Sequence, residues 1–116
     1  MNKPTLSEQQ RQFTKDVAQL IEYIYKQGYS ASLGECYRTP EQAQIYAKEG
    51  LGIIDSLHCK KLAVDLNIFN PEGVYVTDFR DYEIFGVYWE QIDSQNRWGG
   101  RFKRVDLDHY ERRPLE

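Results

Sequence analysis

The chain is poor in the residues that mark several common classes of protein. It has only two histidines and two cysteines among 116 residues, too few cysteines for a disulfide framework. No run of about 18 apolar residues occurs, so no membrane-spanning helix is expected. The 15 basic and 18 acidic residues leave a formal charge of only −3. This balance gives no electrostatic reason to expect nucleic acid or an anionic membrane as a partner.

The length and the first residues lead to further expectations. A chain of 116 residues fits one domain, residues 1–116, with a modest hydrophobic core. Residues 1–5 lack the apolar segment of a secretory signal, which predicts a cytoplasmic protein. Because cytosolic cysteines are mostly reduced, Cys36 and Cys59 are expected to be thiols.

Two helices are indicated by capping patterns. The segment Ser7-Glu-Gln-Gln10 predicts a helix start of the capping-box type. Apolar residues then recur at helical spacing as far as Gly28, a natural terminator. These are Phe13, Val17, Leu20, Ile21 and Ile24. The segment Thr39-Pro-Glu-Gln42 predicts a second helix, with proline at the first helical position, running to about residue 48.

Strand patterns surround these helices. Residues 29–36 predict a short strand that leads to Arg38. Between Leu62 and Phe69 apolar residues alternate with others, so Asp65 lies opposite an aliphatic face. The segment Asn70-Pro-Glu-Gly73 predicts a tight turn. Residues 74–76 would then return as the second strand of a hairpin.

The last third of the chain predicts a helix, a break and an extended segment. Residues 79–93 are rich in aromatic side chains and free of proline, which favours a helix. Trp98-Gly-Gly100 then breaks the chain, and residues 102–111 are predicted to be mostly extended. Asp106 and His109 would point to opposite faces of a regular strand because they are three residues apart. They can share a site only if a turn or bulge lies at residues 106–108.

His58, Asp65 and His109 form a candidate metal site. Imidazole nitrogen suits zinc, whereas magnesium and calcium prefer oxygen ligands. Three protein ligands leave one tetrahedral position open for water, as in catalytic zinc sites. A histidine and an aspartate seven residues apart occur in many proteins by chance, so the other segments of the sequence must support this interpretation.

These segments resemble those of the zinc peptidases that act on bacterial cell-wall peptide. That family includes D-Ala-D-Ala carboxypeptidases, D-Ala-D-Ala dipeptidases and phage L-alanyl-D-glutamate endopeptidases. Its pattern is Ser-x-His-(six residues)-Asp followed by acidic-x-x-His, which Ser56–Asp65 and Asp106–His109 match. The segment Tyr37-Arg38-Thr39 is similar to the Tyr-Arg-Thr segment of the family. Trp98-Gly-Gly100 is similar to its approach to the last ligand, so the resemblance covers roughly residues 30–112.

The resemblance implies a role for each matched residue. His58, Asp65 and His109 would bind Zn²⁺. Asp106 would be the general base that takes a proton from water and delivers it to the leaving amine. Arg38 would polarise the scissile carbonyl and stabilise the oxyanion.

Four further residues have two interpretations each, and a fifth, Lys61, departs from the family pattern. Ser56 contacts substrate by the resemblance, or simply caps a turn. Gln42 is a candidate substrate-binding residue, although its place in the capping pattern already explains it. Asp108 is a solvated or supporting acid, or the base if the register differs. Glu111 orients a ligand imidazole or is an exposed strand residue. Lys61 stands where many relatives have glycine, which puts the shape of that loop in doubt.

The resemblance also implies a fold and a function. The fold would be α+β, with a small antiparallel sheet that carries the zinc site and helices packed on one face. The function would be that of a phage or prophage endolysin, a monomer that cleaves the L-Ala-D-Glu bond of the peptidoglycan stem peptide. It would reach the wall through a membrane hole made by a separate protein. The alternatives are a D-Ala-D-Ala carboxypeptidase or dipeptidase, and a catalytically silent zinc-containing module that binds the cell wall.

Overall fold

The computed structural model describes residues 3–53 and 56–115, which form three α-helices, two short 3₁₀ helices and four strands. The α-helices are α1 (Leu6–Lys26), α2 (Pro40–Lys48) and α3 (Phe79–Ile92). The strands are β1 (Ser30–Leu33), β2 (Ala63–Phe69), β3 (Asn96–Trp98) and β4 (His109–Arg112). The 3₁₀ helices span Leu57–Lys60 and Gly99–Arg101. All pairs in the sheet are antiparallel, in the order β1-β2-β4-β3.

The core lies between the sheet and two of the helices. It contains Phe13, Leu20, Ile24, Leu62, Val64, Leu66, Ile68, Val76, Tyr82, Phe85, Trp89, Trp98 and Tyr110. The predicted alternation in β2 is confirmed, since Val64, Leu66 and Ile68 are buried while Asp65 is partly exposed on the other face. Helices α1 and α3 cover the aliphatic face, and the edge of Phe13 meets the ring of Trp89. The expected α+β class with a small antiparallel sheet is therefore confirmed.

The start of α1 differs from the prediction. Thr5, not Ser7, caps the helix: the Thr5 hydroxyl accepts from the Glu8 amide at 3.0 Å, and Glu8 accepts from the Thr5 amide at 3.0 Å. The capping box formed by Thr5 and Glu8 is more favourable than one formed by Ser7 and Gln10. The Glu8 carboxylate lies in the first turn, where it also interacts favourably with the helix dipole. The other end is as predicted, with Gly28 at φ 84° just after the helix. The cap of α2 by Thr39 is also confirmed.

The predicted hairpin after β2 forms, but it is short. The Asn70 amide donates to the Val74 carbonyl and the Val76 amide donates to the Ile68 carbonyl, each at 2.9 Å. Asn70 accepts from the Glu72 and Val74 amides through its side chain, so the turn forms. Residues 74–76 do not form a strand, and a single bridge joins Phe69 to Tyr75. The chain leaves the sheet there because Asp78 caps α3 a few residues later.

The prediction that residues 102–111 are mostly extended was too broad, since only residues 109–112 form a strand. The preceding segment curls around Gly99, whose carbonyl accepts from the amides of both Phe102 and Asp106. In the described residues, no helix has both the length and the apolar character to cross a membrane.

Candidate functional site

Two candidate ligands lie on neighbouring strands. Asp65 of β2 and His109 of β4 are directly opposed in the antiparallel register, which places their side chains together on one face of the sheet. The Asp65 carboxylate oxygen Oδ1 is 3.3 Å from His109 Nδ1. Because both residues are fixed by backbone pairing, this half of the site is built into the sheet.

The third candidate ligand comes from the 3₁₀ helix at Leu57–Lys60. Ser56 caps this helix by accepting from the His58 amide at 3.2 Å. The helix ends at Lys61, which adopts the left-handed conformation with φ 57°. Lysine thus takes the kind of backbone conformation in which glycine is usual. His58 is buried, and its Nε2 lies 3.4 Å from Asp65 Oδ1.

The three side chains fit a divalent metal. One ligand atom from each of His58, Asp65 and His109 lies within 4.8 Å of the others. Burial raises the pKa of Asp65, but its hydrogen bonds with His109 and His58 outweigh this effect and lower the pKa to about 2. Burial lowers the pKa of His109, but Asp65 and Glu111 outweigh it and raise the pKa to about 9. A metal bound at these side chains would meet an ionised carboxylate, and its binding would compete with a proton on His109.

A turn at residues 107–108 brings Asp106 close to His109. The His109 amide donates to the Asp106 carbonyl at 3.2 Å, and residues 107–108 are in a turn conformation. The predicted turn at residues 106–108 is therefore confirmed. One carboxylate oxygen of Asp106 lies 4.0 Å from His109 Nδ1, while the side chain is 56% exposed. Partial burial raises the pKa of Asp106 above its ordinary value, and Asp65 adds to this effect while His109 opposes it.

Arg38 lies beside the candidate ligands. Its backbone amide donates to the His58 carbonyl at 3.2 Å, which ties the two segments together. Its guanidinium pairs with Glu35 and lies over the ring of Tyr46, 4.9 Å from the ring centre. The Arg38 side chain is 13% exposed, so its position is well defined by packing.

These side chains line one cleft of about 380 Å³, which falls in the usual size range of ligand sites. The lining residues are Arg38, Leu51, Ile53, Ser56, Leu57, His58, Asp65, Arg97, Phe102, Asp106, His109, Glu111 and Pro114. Ser56 reaches the cleft in addition to capping the 3₁₀ helix. Gln42 is absent from the described residues that line it, and its backbone amide donates to Thr39 at the start of α2.

Asp106 and Asp108, the two neighbouring acids of the last segment, have different surroundings. Asp108 accepts from the Tyr75 hydroxyl at 2.8 Å, and it is not among the described residues that line the cleft. Of the two acids, Asp106 is therefore the one that lies at the cleft beside His109.

Three polar residues of the site were missed or left open from the sequence. Glu111 is buried and its Oε1 lies 2.7 Å from His109 Nε2. The spacing of two residues on a strand, which puts both side chains on one face, could have indicated this contact. Arg97 pairs with Glu111 across the β3–β4 register, and Glu35 pairs with Arg38. No sequence signal identifies either of these pairs.

No family model matches the sequence, and no curated protein matches it either. Solved structures of similar fold include two peptidases. One is the L-Ala D-Glu endopeptidase ChiX of Serratia marcescens, with a TM-score of 0.72 and 19% sequence identity over 88% of this chain and 78% of that one. The other is a variant of the vancomycin-resistance D,D-pentapeptidase VanY from a VanB-type cassette, in complex with Zn(II). Its TM-score is 0.59, with 16% identity over 88% of this chain and 71% of that one.

The chain shares the fold of these two peptidases. At such low identity the similarity extends to the fold and not to individual residues. The fold agrees with the sequence resemblance, which rests on short motifs.

Proposed function

We propose that the protein is a zinc-dependent peptidase that acts on the peptide of the bacterial cell wall. The observation that carries the proposal is the convergence of His58, Asp65, His109, Asp106 and Arg38 on one cleft. These residues come from three separate segments of the chain. Their convergence in a peptidase fold supports a catalytic site more strongly than a purely structural metal site, which needs neither a base nor an arginine.

Each group has a distinct task in peptide hydrolysis. His58, Asp65 and His109 would hold a zinc ion, which would supply a Lewis acid and lower the pKa of water to about 7. Asp106 accepts the proton of the attacking water and delivers it to the leaving amine. A raised pKa favours this double role, because the carboxyl must both gain and lose the proton. Arg38 donates to the carbonyl oxygen as negative charge develops there, a contribution of about 3–4 kcal/mol in comparable sites.

The finer proposal is cleavage of the L-Ala-D-Glu bond of the peptidoglycan stem peptide. Its support is the greater structural similarity to an L-Ala D-Glu endopeptidase than to a D,D-pentapeptidase. Action at D-Ala-D-Ala is the second candidate, favoured by the zinc-bound D,D-pentapeptidase of similar fold. The sequence resemblance further implies a single-domain, monomeric phage or prophage endolysin.

The test is hydrolysis of purified peptidoglycan by the zinc-loaded protein, with the released termini identified by mass spectrometry. Asp106→Asn should lower the rate at least 100-fold, because it removes the base. Asp108→Asn is the matched control: it removes the neighbouring carboxylate, which contacts Tyr75 instead of the cleft, and should retain activity. New D-Glu amino termini support the endopeptidase, and free D-Ala indicates the D,D-specific alternative. Zinc binding without any hydrolysis would contradict the proposal and favour a wall-binding module.

A further inference from the structure

The two imidazoles of the site differ in the surroundings of the nitrogen that points away from Asp65. For His109 that nitrogen is Nε2, and it lies 2.7 Å from Glu111 Oε1. For His58 it is Nδ1, which is buried and has no hydrogen-bond partner among the described residues. Of the carboxylates in residues 3–53 and 56–115, Glu35 comes nearest to His58 Nδ1, with its Oε1 at 3.7 Å, too far for a hydrogen bond. Among the residues that the structure describes, only His109 therefore has a carboxylate bound to its outer nitrogen.

Glu111 is held firmly in its position. Its backbone pairs with Ala63 of β2 on one side and with Arg97 of β3 on the other. Its carbonyl accepts from Trp89 Nε1 at 3.1 Å. The side chain is only 8% exposed, and Arg97 pairs with Oε2, which leaves Oε1 to His109. The carboxylate thus has one oxygen for each partner and little freedom to turn away.

We infer that Glu111 is a positioning residue that keeps His109 protonated at Nε2 and thereby commits Nδ1 to the metal. The inference rests on the metal site of the proposed function. A neutral imidazole carries one N–H donor and one lone pair, and a carboxylate can only accept. The hydrogen bond to Glu111 therefore fixes the proton on Nε2, and the Nδ1 lone pair points towards Asp65 and the cleft. Such an outer carboxylate also makes the ligating nitrogen more basic.

Glu35 does not perform the same task for His58. Its Oε1 accepts from both Nε and Nη2 of Arg38, so its carboxylate is committed to the arginine. The two glutamates near the site therefore have different roles. Glu111 orients a metal ligand, and Glu35 orients the guanidinium that faces the cleft.

The test compares zinc affinity, measured by competition with a chromogenic chelator, in Glu111→Ala, Glu111→Gln and wild type. Loss of an outer carboxylate should weaken zinc binding about 10- to 100-fold, and glutamine should weaken it less because its carbonyl still accepts. Glu90→Ala and Glu90→Gln are matched controls. Glu90 is also a partly buried carboxylate paired with an arginine, Arg101, and none of its described contacts involves an imidazole. Both Glu90 variants should bind zinc like wild type.

A second readout separates orientation from general destabilisation. The chain has only two histidines, so long-range ¹H–¹⁵N spectra of the zinc-loaded protein resolve each ring. In wild type His109 should carry its proton on Nε2 and His58 on Nδ1, one ring of each tautomer. Glu111→Ala should weaken zinc binding and lose the single His109 tautomer.

Two results would overturn the inference: unchanged zinc affinity in the Glu111 variants, or a wild-type His109 bound through Nε2. If Glu111→Ala fails to fold, the zinc affinity and the histidine tautomers of Glu111→Gln are compared with those of Glu90→Gln, and this comparison tests the inference. Absence of hydrolysis in a protein that binds zinc contradicts the proposed function alone and leaves this inference standing. Absence of zinc binding in wild type would contradict both.

Discussion

Replacing Gly99 by alanine should displace the segment that carries the candidate base. A Cβ atom at Gly99 would lie 2.2 Å from the Asp106 carbonyl oxygen and 2.9 Å from His109 Cβ. Neither neighbour is the flexible end of a side chain. The same glycine also accepts from the Asp106 amide at 2.9 Å, so the two segments are joined where the new methyl group would push them apart.

The size of the effect follows from the geometry. Tight contact ends near 3.4 Å, so the carbonyl must retreat by the difference between 3.4 and 2.2 Å, about 1.2 Å. A misplacement of about 1 Å in a catalytic site can cost about 100-fold in rate. Overpacking of this kind also costs about 1–3 kcal/mol of folding free energy. Because His109 Cβ is crowded too, zinc affinity should fall together with the rate.

Three measurements on Gly99→Ala test this reasoning: zinc affinity, the rate of peptidoglycan hydrolysis and the free energy of unfolding. Gly73→Ala is the control, because Gly73 has φ 80° and its added Cβ would meet nothing within 4 Å. It should cost about 1 kcal/mol of stability through backbone strain and leave the site intact. A Gly99→Ala protein with the zinc affinity and rate of wild type would refute the argument.

Three further substitutions have predictable effects on stability. Trp89→Phe removes the indole donor to the carbonyls of Arg97 and Glu111 and should cost about 1–3 kcal/mol in urea unfolding without a change in m. Burial raises the pKa of Asp93, but the Gln95 amide and Arg112 outweigh it and hold the pKa below its ordinary 3.8. Its stabilisation is therefore present above pH 3.8 and lost as the pH falls through the lowered value. Asp93→Asn should cost about 2 kcal/mol at pH 7, and the difference from wild type should shrink in unfolding measured at more acidic pH. Lys61→Gly should raise the free energy of unfolding by about 1 kcal/mol, because it relieves a left-handed lysine; an equal or lower value would contradict the strain.

The parts of the fold that were predicted correctly depend on local patterns. The apolar stripe before Gly28 predicted α1, and the period of two in β2 placed Asp65 opposite the core. The turn between Asp106 and His109 followed from a steric requirement, because residues three apart cannot share a face of a regular strand. In each case the deciding information lies within one continuous segment of the chain.

The parts that could not be predicted depend on contacts between distant segments. The pair of Arg97 and Glu111 exists because β3 lies beside β4 in one register, and nothing near either residue specifies that register. The hairpin after β2 is shorter than predicted for a related reason. Its turn is local and formed as expected, whereas the second strand needed further pairing that the approach to α3 prevents.

The site is rigid in one half and dependent on loop conformation in the other. Asp65 and His109 are fixed by the β2–β4 register, with Glu111 two residues further along the same strand. His58 instead depends on a short 3₁₀ helix that ends in a strained lysine and is joined to Arg38 by one backbone hydrogen bond. Sites held by strands are more precise than sites held by loops. Substitutions near Lys61 that displace the 3₁₀ helix should therefore affect His58 and Arg38 together. Metal affinity and the oxyanion stabilisation proposed for Arg38 should then decline in parallel, while the strand half of the site stays in place.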